Sequence, residues 1–189
     1  MGGQPANHNL SVPWTSFVGR RDELATIARL LHEGRLVTLT GPGGTGKTRL
    51  ALQAALAETG RFAGGVWLVE LAALGQPGLV AETIAAALAL PDRPGLALAD
   101  RLAALLAARP RLLVLDNCEH RLDECARLAA ELLARCPGLT ILATSREALG
   151  LGGECIMQVA ALALPALGPP PSVADLLRSE AVRLFVDRV

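Results

Sequence analysis

The stretch Leu36-Val37-Thr38-Leu39-Thr40-Gly41-Pro42-Gly43-Gly44-Thr45-Gly46-Lys47-Thr48 decides the architecture. Its first five residues read as an apolar strand, and the alanine- and leucine-rich segment after it reads as a helix ending at Gly60. Between them lies a Gly, four residues, then Gly-Lys-Thr, the pattern of a phosphate-binding loop. Glycines permit backbone conformations closed to other residues, so successive N–H groups can turn toward phosphate oxygens. The helix that opens near Lys47 adds the positive end of its dipole. Lys47 is also the only lysine of the chain, the other seventeen basic residues being arginine. A compact ammonium can lie along such a loop, whereas a planar guanidinium is bulkier and prefers forked partners. Gly41, Gly43, Gly44, Thr45, Gly46, Lys47, Thr48 and the following Arg49 are therefore expected to hold a nucleotide, with the Thr48 hydroxyl on Mg²⁺.

On either side the chain alternates short apolar runs with helical patterns. Leu24, Ile27, Ala28, Leu30 and Leu31 recur at helical spacing, with Gly34 as the stop. Apolar runs at 66–69, 112–115 and 139–143 do not alternate with polar residues, as expected of strands covered on both faces of a parallel sheet. Helical patterns lie between them at 79–90, 96–109 and 121–135, and a fifth strand is expected at 154–159. Strand and helix in alternation give an α/β fold with right-handed crossovers. With the glycine loop, this alternation resembles the three-layer P-loop NTPase fold of the ASCE type, and the expected fold class is that arrangement, a five-stranded parallel sheet flanked by helices. In that type the strand ending at Thr144 inserts between the glycine-loop strand and the strand ending at Asp116.

Asp116 closes an apolar run, and a carboxylate there opens beside the glycine loop, where it can hold magnesium through water. Thr144-Ser145-Arg146 ends another strand in a hydroxyl pair and a guanidinium, which can distinguish ATP from ADP at the terminal phosphate. After Asp116 comes Asn117, whose amide cannot accept a proton from attacking water and can only orient it. Glu119 is the nearest other carboxylate. The candidate catalytic set is accordingly Lys47, Asp116, Glu119 and the sensor Arg146, with slow or absent hydrolysis expected.

Composition narrows the classes. Apolar residues make 51% of the chain and aromatics 3%, so the core is aliphatic. Zero formal net charge and the absence of a helix-turn-helix pattern argue against direct nucleic-acid contact, and no long uncharged apolar run suggests a membrane. Without a basic, apolar leader, the expected compartment is the cytoplasm. Cys118, Cys125, Cys136 and Cys155 fit neither a zinc pattern nor a disulfide scaffold and read as buried free thiols. Residues 1–15, His8 among them, read as a flexible lead-in, 16–164 as the nucleotide-binding domain, and 165–171 as a Pro-rich linker. At 172–189 Ser172 and Asp175 cap the opening helix of a further, truncated helical subdomain.

Phe17-Val18-Gly19-Arg20, the glycine loop, Asp116-Asn117-Cys118-Glu119-His120 and Thr144-Ser145-Arg146 occur in the order and spacing of STAND-class regulatory NTPases. Over residues 16–189 the chain resembles the NB-ARC-like ATP-binding domain of large bacterial transcriptional regulators of the LuxR and antibiotic-regulator types. That resemblance implies base recognition by Val18 and Arg20, nucleotide-state sensing by Arg146, and a slow switch that rests with ADP and self-associates or signals with ATP. Two other readings stay open at this point: an AAA+-like ATPase motor, and a small-molecule P-loop kinase, for which no Arg-rich lid insertion is evident.

Overall fold

Five apolar segments become five parallel strands in the computed structural model, which describes residues 7–11, 15–72, 78–93, 95–165 and 173–188. They are β1 (Leu36–Thr40), β2 (Val66–Glu70), β3 (Arg111–Asp116), β4 (Leu139–Ser145) and β5 (Glu154–Gln158). Their spatial order is β2-β3-β4-β1-β5, so β4 lies between β1 and β3, where the sequence places the sensor strand. The helices are α1 (Arg21–Glu33), α2 (Lys47–Ala57), α3 (Val80–Ala87), α4 (Leu98–Ala107), α5 (Leu122–Arg135), α6 (Val173–Leu176) and α7 (Glu180–Arg188).

Successive residues of each strand point opposite ways, and helices cover both faces of the sheet around its central strands β1, β3 and β4. Val37, Leu39, Leu112, Val114 and Leu142 pack with Ile27 and Leu31 of α1 and Leu50 and Ala54 of α2. Leu36, Leu113, Leu115, Leu139, Ile141 and Ala143 pack on the other side with residues of α3, α4 and α5, such as Ile84, Leu102 and Leu132. Every position of β1 and β4 is buried, which explains why neither run alternates in sequence.

Register aligns the functional ends of the strands. Thr40 pairs with Ser145, and Leu115 with Ala143, so the carboxyl ends of β1, β3 and β4 finish side by side. The glycine loop, Asp116 and Arg146 leave the sheet along that one edge.

Two sequence expectations need correction. Residues 7–11 are not a loose lead-in: they lie parallel to the free edge of β2, where His8 bridges to Val66 and Leu10 is buried. The Asn9 side chain donates to the Leu68 carbonyl at 2.9 Å and accepts from its N–H at 2.6 Å, so one amide substitutes for a strand residue. Asn7 works from both its parts. Its side chain donates to the Ala63 carbonyl at 2.9 Å, and its own carbonyl accepts the Val66 N–H at 3.0 Å. Asn-rich sequence signals turns, and here its hydrogen-bonding versatility caps an edge that would otherwise invite pairing. The second correction is at the other end, where the single helix expected from Ser172 is two helices, α6 and α7, separated at 177–179. Ser172 itself, and the Pro-rich segment apart from Pro165, fall outside the described residues. No helix among the described residues is long and apolar enough to cross a membrane.

Replacing Asn9 with Ala removes both bonds to Leu68. Urea unfolding should show a loss of about 1–2 kcal/mol with an unchanged m-value, whereas no loss would mean that the segment contributes nothing to the edge.

Candidate nucleotide site

Backbone geometry at the end of β1 prepares a concave loop. Gly41 has φ +146°, and a Cβ there would sit 2.6 Å from the carbonyl oxygen of Val159, so the strand can turn only with glycine. Gly44 and Gly46 have φ +79° and +86°, and a Cβ on Gly43, Gly44 or Gly46 would meet nothing within 4 Å. The inner side of the loop is therefore open. Thr45 ties the loop across itself by donating from Oγ1 to the Pro42 carbonyl at 3.0 Å.

Lys47 is 7% exposed, and its Nζ donates to the carbonyls of Gly41 at 2.8 Å and Pro42 at 2.9 Å. An ammonium has three N–H groups, so these two bonds fix its position and leave one for a phosphate oxygen. The open glycine backbone and this held ammonium fit a phosphate chain. Thr48 borders the same cleft, of about 570 Å³, with Leu52, Asn117, Glu119, His120 and Arg146.

Asp116 is 4% exposed and both of its oxygens are engaged. Thr144 donates from Oγ1 to Asp116 Oδ1 at 2.6 Å and accepts the Asn117 N–H at 3.0 Å, while the Asn117 amide donates to Asp116 Oδ2 at 3.2 Å. These bonds fix the direction in which the buried carboxylate points. With Thr48 and this oriented carboxylate the residues fit Mg²⁺, which supplies charge neutralisation at the phosphates when bound. Sequence reasoning noted Thr144 as one of a hydroxyl pair and missed its role as the joint between β3 and β4. Asn117 has φ +63°, a left-handed conformation that Asn tolerates better than most residues, and it begins a single 3-10 turn at Cys118–Arg121.

Glu119, on that turn, faces Arg146 from the end of β4, with Glu119 Oε1 3.4 Å from Arg146 Nε. The turn is anchored by Cys118, which is fully buried and whose Sγ donates to the Leu115 carbonyl at 3.5 Å. Hydrogen bonding with the Cys125 thiol, together with burial, pushes the Cys118 thiol well above its ordinary range, so it is a packing group and not a nucleophile. All four cysteines are free thiols. Cys118, Cys125 and Cys136 are buried, and Cys155 is half-buried.

Val18 and Arg20 line a second cleft of about 630 Å³ on the other side of the loop, with Phe17, Pro42, Thr45, Gln158, Ala161 and Leu184. Its walls are mostly apolar, as a flat base requires. The two clefts share Gly43, Gly44, Gly46 and Arg49. Arg20 itself is 7% exposed, and its guanidinium is taken up by protein partners: Glu23 at 3.1 Å, the Thr45 carbonyl at 2.9 Å and the Ala160 carbonyl at 2.9 Å. Its side chain is thus a staple between the loop and the exit of β5. Arg20 has φ +60° and Gly19 +74°, and the Arg20 N–H donates to Glu180 Oε1 of α7 at 3.1 Å. Arg49, counted in the sequence with the loop, donates to the Thr15 carbonyl at 2.7 Å and to the Ser16 carbonyl. It ties α2 to residues 15 and 16, and Ser11 of the edge-bound N-terminal segment borders the phosphate-side cleft. No sequence signal pointed to Ser11, because local pattern does not reveal where an edge-bound segment ends.

Residues 29–151 match the AAA domain family. The chain belongs to that family. Its P-loop ATPase character follows from the match and from the site just described. An uncharacterized protein of Mycobacterium tuberculosis is 47% identical over 174 residues, which is 92% of this chain and 41% of the relative. A second M. tuberculosis protein, named a putative HTH-type transcriptional regulator, is 50% identical over 159 residues, covering 84% of this chain and 16% of the relative. The chain thus spans less than half the length of either. Among solved structures, a STAND protein with a tetratricopeptide repeat sensor from Pyrococcus horikoshii superposes with TM-score 0.58 at 18% identity, over 82% of this chain and 25% of that one. Cdc6p from Pyrobaculum aerophilum superposes with TM-score 0.56 at 20% identity, over 92% of this chain and 51% of that one. At such identities the two structures share the fold with this chain.

Thr144→Val keeps the shape of the strand end and removes the hydroxyl that serves Asp116 and Asn117. Calorimetry in Mg²⁺ should show nucleotide affinity reduced about tenfold or more, with a smaller change in EDTA. Equal losses in both would place Thr144 outside the metal side of the site.

Proposed function

We propose that this AAA domain is an ATP/ADP-binding regulatory switch of the STAND type, with slow or absent intrinsic hydrolysis, working inside a signalling or transcriptional regulator. The observation that carries the reading is the pairing of a complete phosphate cradle with an amide at position 117. Lys47, the glycine loop, Thr48 and Asp116 supply what binding of Mg²⁺ and a nucleotide needs. Asn117, its amide spent on Asp116 Oδ2, supplies no base for rapid cleavage. A site that binds well and cleaves poorly holds its nucleotide long enough to report it. The second cleft suits the adenine, with Val18 packing on the base and Arg20 shaping its wall.

The wider setting supports this reading. A relative at 50% identity carries a regulator's name and is far longer than this chain, as a sensor-and-output protein would be. The contact of Glu180 with Arg20 gives α7 a hold on the base-side turn, so a change at that turn can pass to α7. ATP-dependent self-association is the expected output, and zero net charge leaves DNA contact to other parts of a longer protein.

Freshly purified protein, denatured and analysed by chromatography, should release ADP in near-stoichiometric amount. Lys47→Ala should reduce nucleotide binding at least about a hundredfold, because it removes the one ammonium aimed along the loop. Undiminished binding in that variant overturns the assignment. Turnover of many ATP per second by the wild type would instead favour a motor.

A further inference from the structure

Glu119 has a buried carboxylate oxygen, Oε2, with no hydrogen-bond partner, alone in this respect among the described residues that border the phosphate-side cleft. Burying such an atom is costly, and its retention calls for a use. The other oxygen, Oε1, contacts Arg146 Nε at 3.4 Å, longer than a charge-assisted hydrogen bond of about 2.7–2.9 Å. The two partners are unequal: the Arg146 side chain is 65% exposed and that of Glu119 only 11%. An ion pair with an exposed member is weakly held. The Arg146 guanidinium is therefore a group that a better anion can take.

We infer that Glu119 and Arg146 form an exchangeable pair that reads the terminal phosphate, and that Glu119, once released, is the carboxylate that accepts the proton of the attacking water. The inference rests on the nucleotide-switch reading and adds to it the device that separates ATP from ADP. A terminal phosphate offers oxygens matched to the guanidinium fork, whereas the present contact uses the single Nε. Arg146 then leaves Glu119 for that phosphate. Glu119, still largely buried, is left with no cation beside Oε1.

In the hydrolytic step Glu119 takes a proton from water as the water oxygen bonds the terminal phosphorus. The bond from that phosphorus to the bridging oxygen breaks, and ADP departs with the electron pair. Position 117 is closed to this role, because its amide is committed to Asp116 and carries no basic oxygen. The turn from Cys118 holds Glu119 in place while Arg146 moves, since Cys118 is fully buried and Arg146 is not. Glu119 then passes that proton to solvent as the cleaved phosphate leaves, and Arg146 returns to the freed carboxylate and resets the pair.

The test measures binding of ATPγS and of ADP, each with Mg²⁺, by calorimetry on the 189-residue chain. Glu119→Gln, near-isosteric, frees Arg146 and should raise the preference for ATPγS over ADP about threefold to tenfold, while lowering single-turnover ATP cleavage about a hundredfold or more. Arg146→Ala should lower the preference for ATPγS about tenfold. In the Arg146→Ala background, Glu119→Gln should leave the preference where it is, because the competitor for the guanidinium is already gone. Circular dichroism and thermal melting check that each variant is folded, and Arg146→Gln replaces Arg146→Ala if the latter is not. A wild-type preference in Glu119→Gln, with both nucleotides still bound, overturns the pair. A wild-type chain that binds neither nucleotide overturns the switch reading itself, and the pair with it.

Discussion

The Thr144 hydroxyl holds the site together by joining two strands at their carboxyl ends. It donates to Asp116 on β3 and accepts from the backbone of Asn117, one residue further on. Because β4 lies between β1 and β3, the same strand end also runs alongside the root of the glycine loop. One side chain thus sets the spacing between the carboxylate and the phosphate cradle. The constraint is strict because Asp116 is buried: without these donors an ionised carboxylate at that depth would lose its solvation with nothing in exchange. The left-handed turn at Asn117 follows from the same bond, and it directs Glu119 toward Arg146.

Around this joint the molecule uses its arginines as staples and its single lysine as a ligand-facing group. Arg20 and Arg49 are turned to backbone carbonyls, which the guanidinium fork can bridge two at a time. Arg20 links the glycine loop to the residues after β5, and Arg49 links α2 to residues 15 and 16. The loop is therefore braced from both sides by segments far away in sequence. Arg146 differs from these two, with an exposed guanidinium over the phosphate-side cleft, which suits it to the sensing role proposed above.

Much of the fold was legible because burial of a parallel sheet on both faces leaves a simple trace. Unalternating apolar runs mark β1, β3 and β4, and helical periodicity marks α1 and α5, which the sequence delimits closely. The glycine loop was legible for a different reason, since its backbone angles exclude other residues and force a local signature. The N-terminal segment was not legible. Its stabilisation comes from Asn7 and Asn9 reaching a strand nearly sixty residues away, and a composition of Asn, Ser and Pro reads locally as loop. The split into α6 and α7 was equally hidden, because Ser179 spends its hydroxyl on the carbonyl of Ala163, a tertiary partner.

The sequence by itself determined the phosphate-binding loop, the strand alternation and the residue types at the site: lysine, threonine, aspartate, asparagine and arginine. These are properties of short segments, set by φ/ψ limits, periodicity and the chemistry of single side chains. Only the tertiary structure decided which of those side chains are free to act. It bound Arg20 inside the wall of its cleft, gave Asp116 its two donors, paired Arg146 with Glu119 and brought Ser11 to the mouth of the site. Each of these outcomes depends on groups that meet across strands or across the whole chain, and sequence spacing carries no record of such distances.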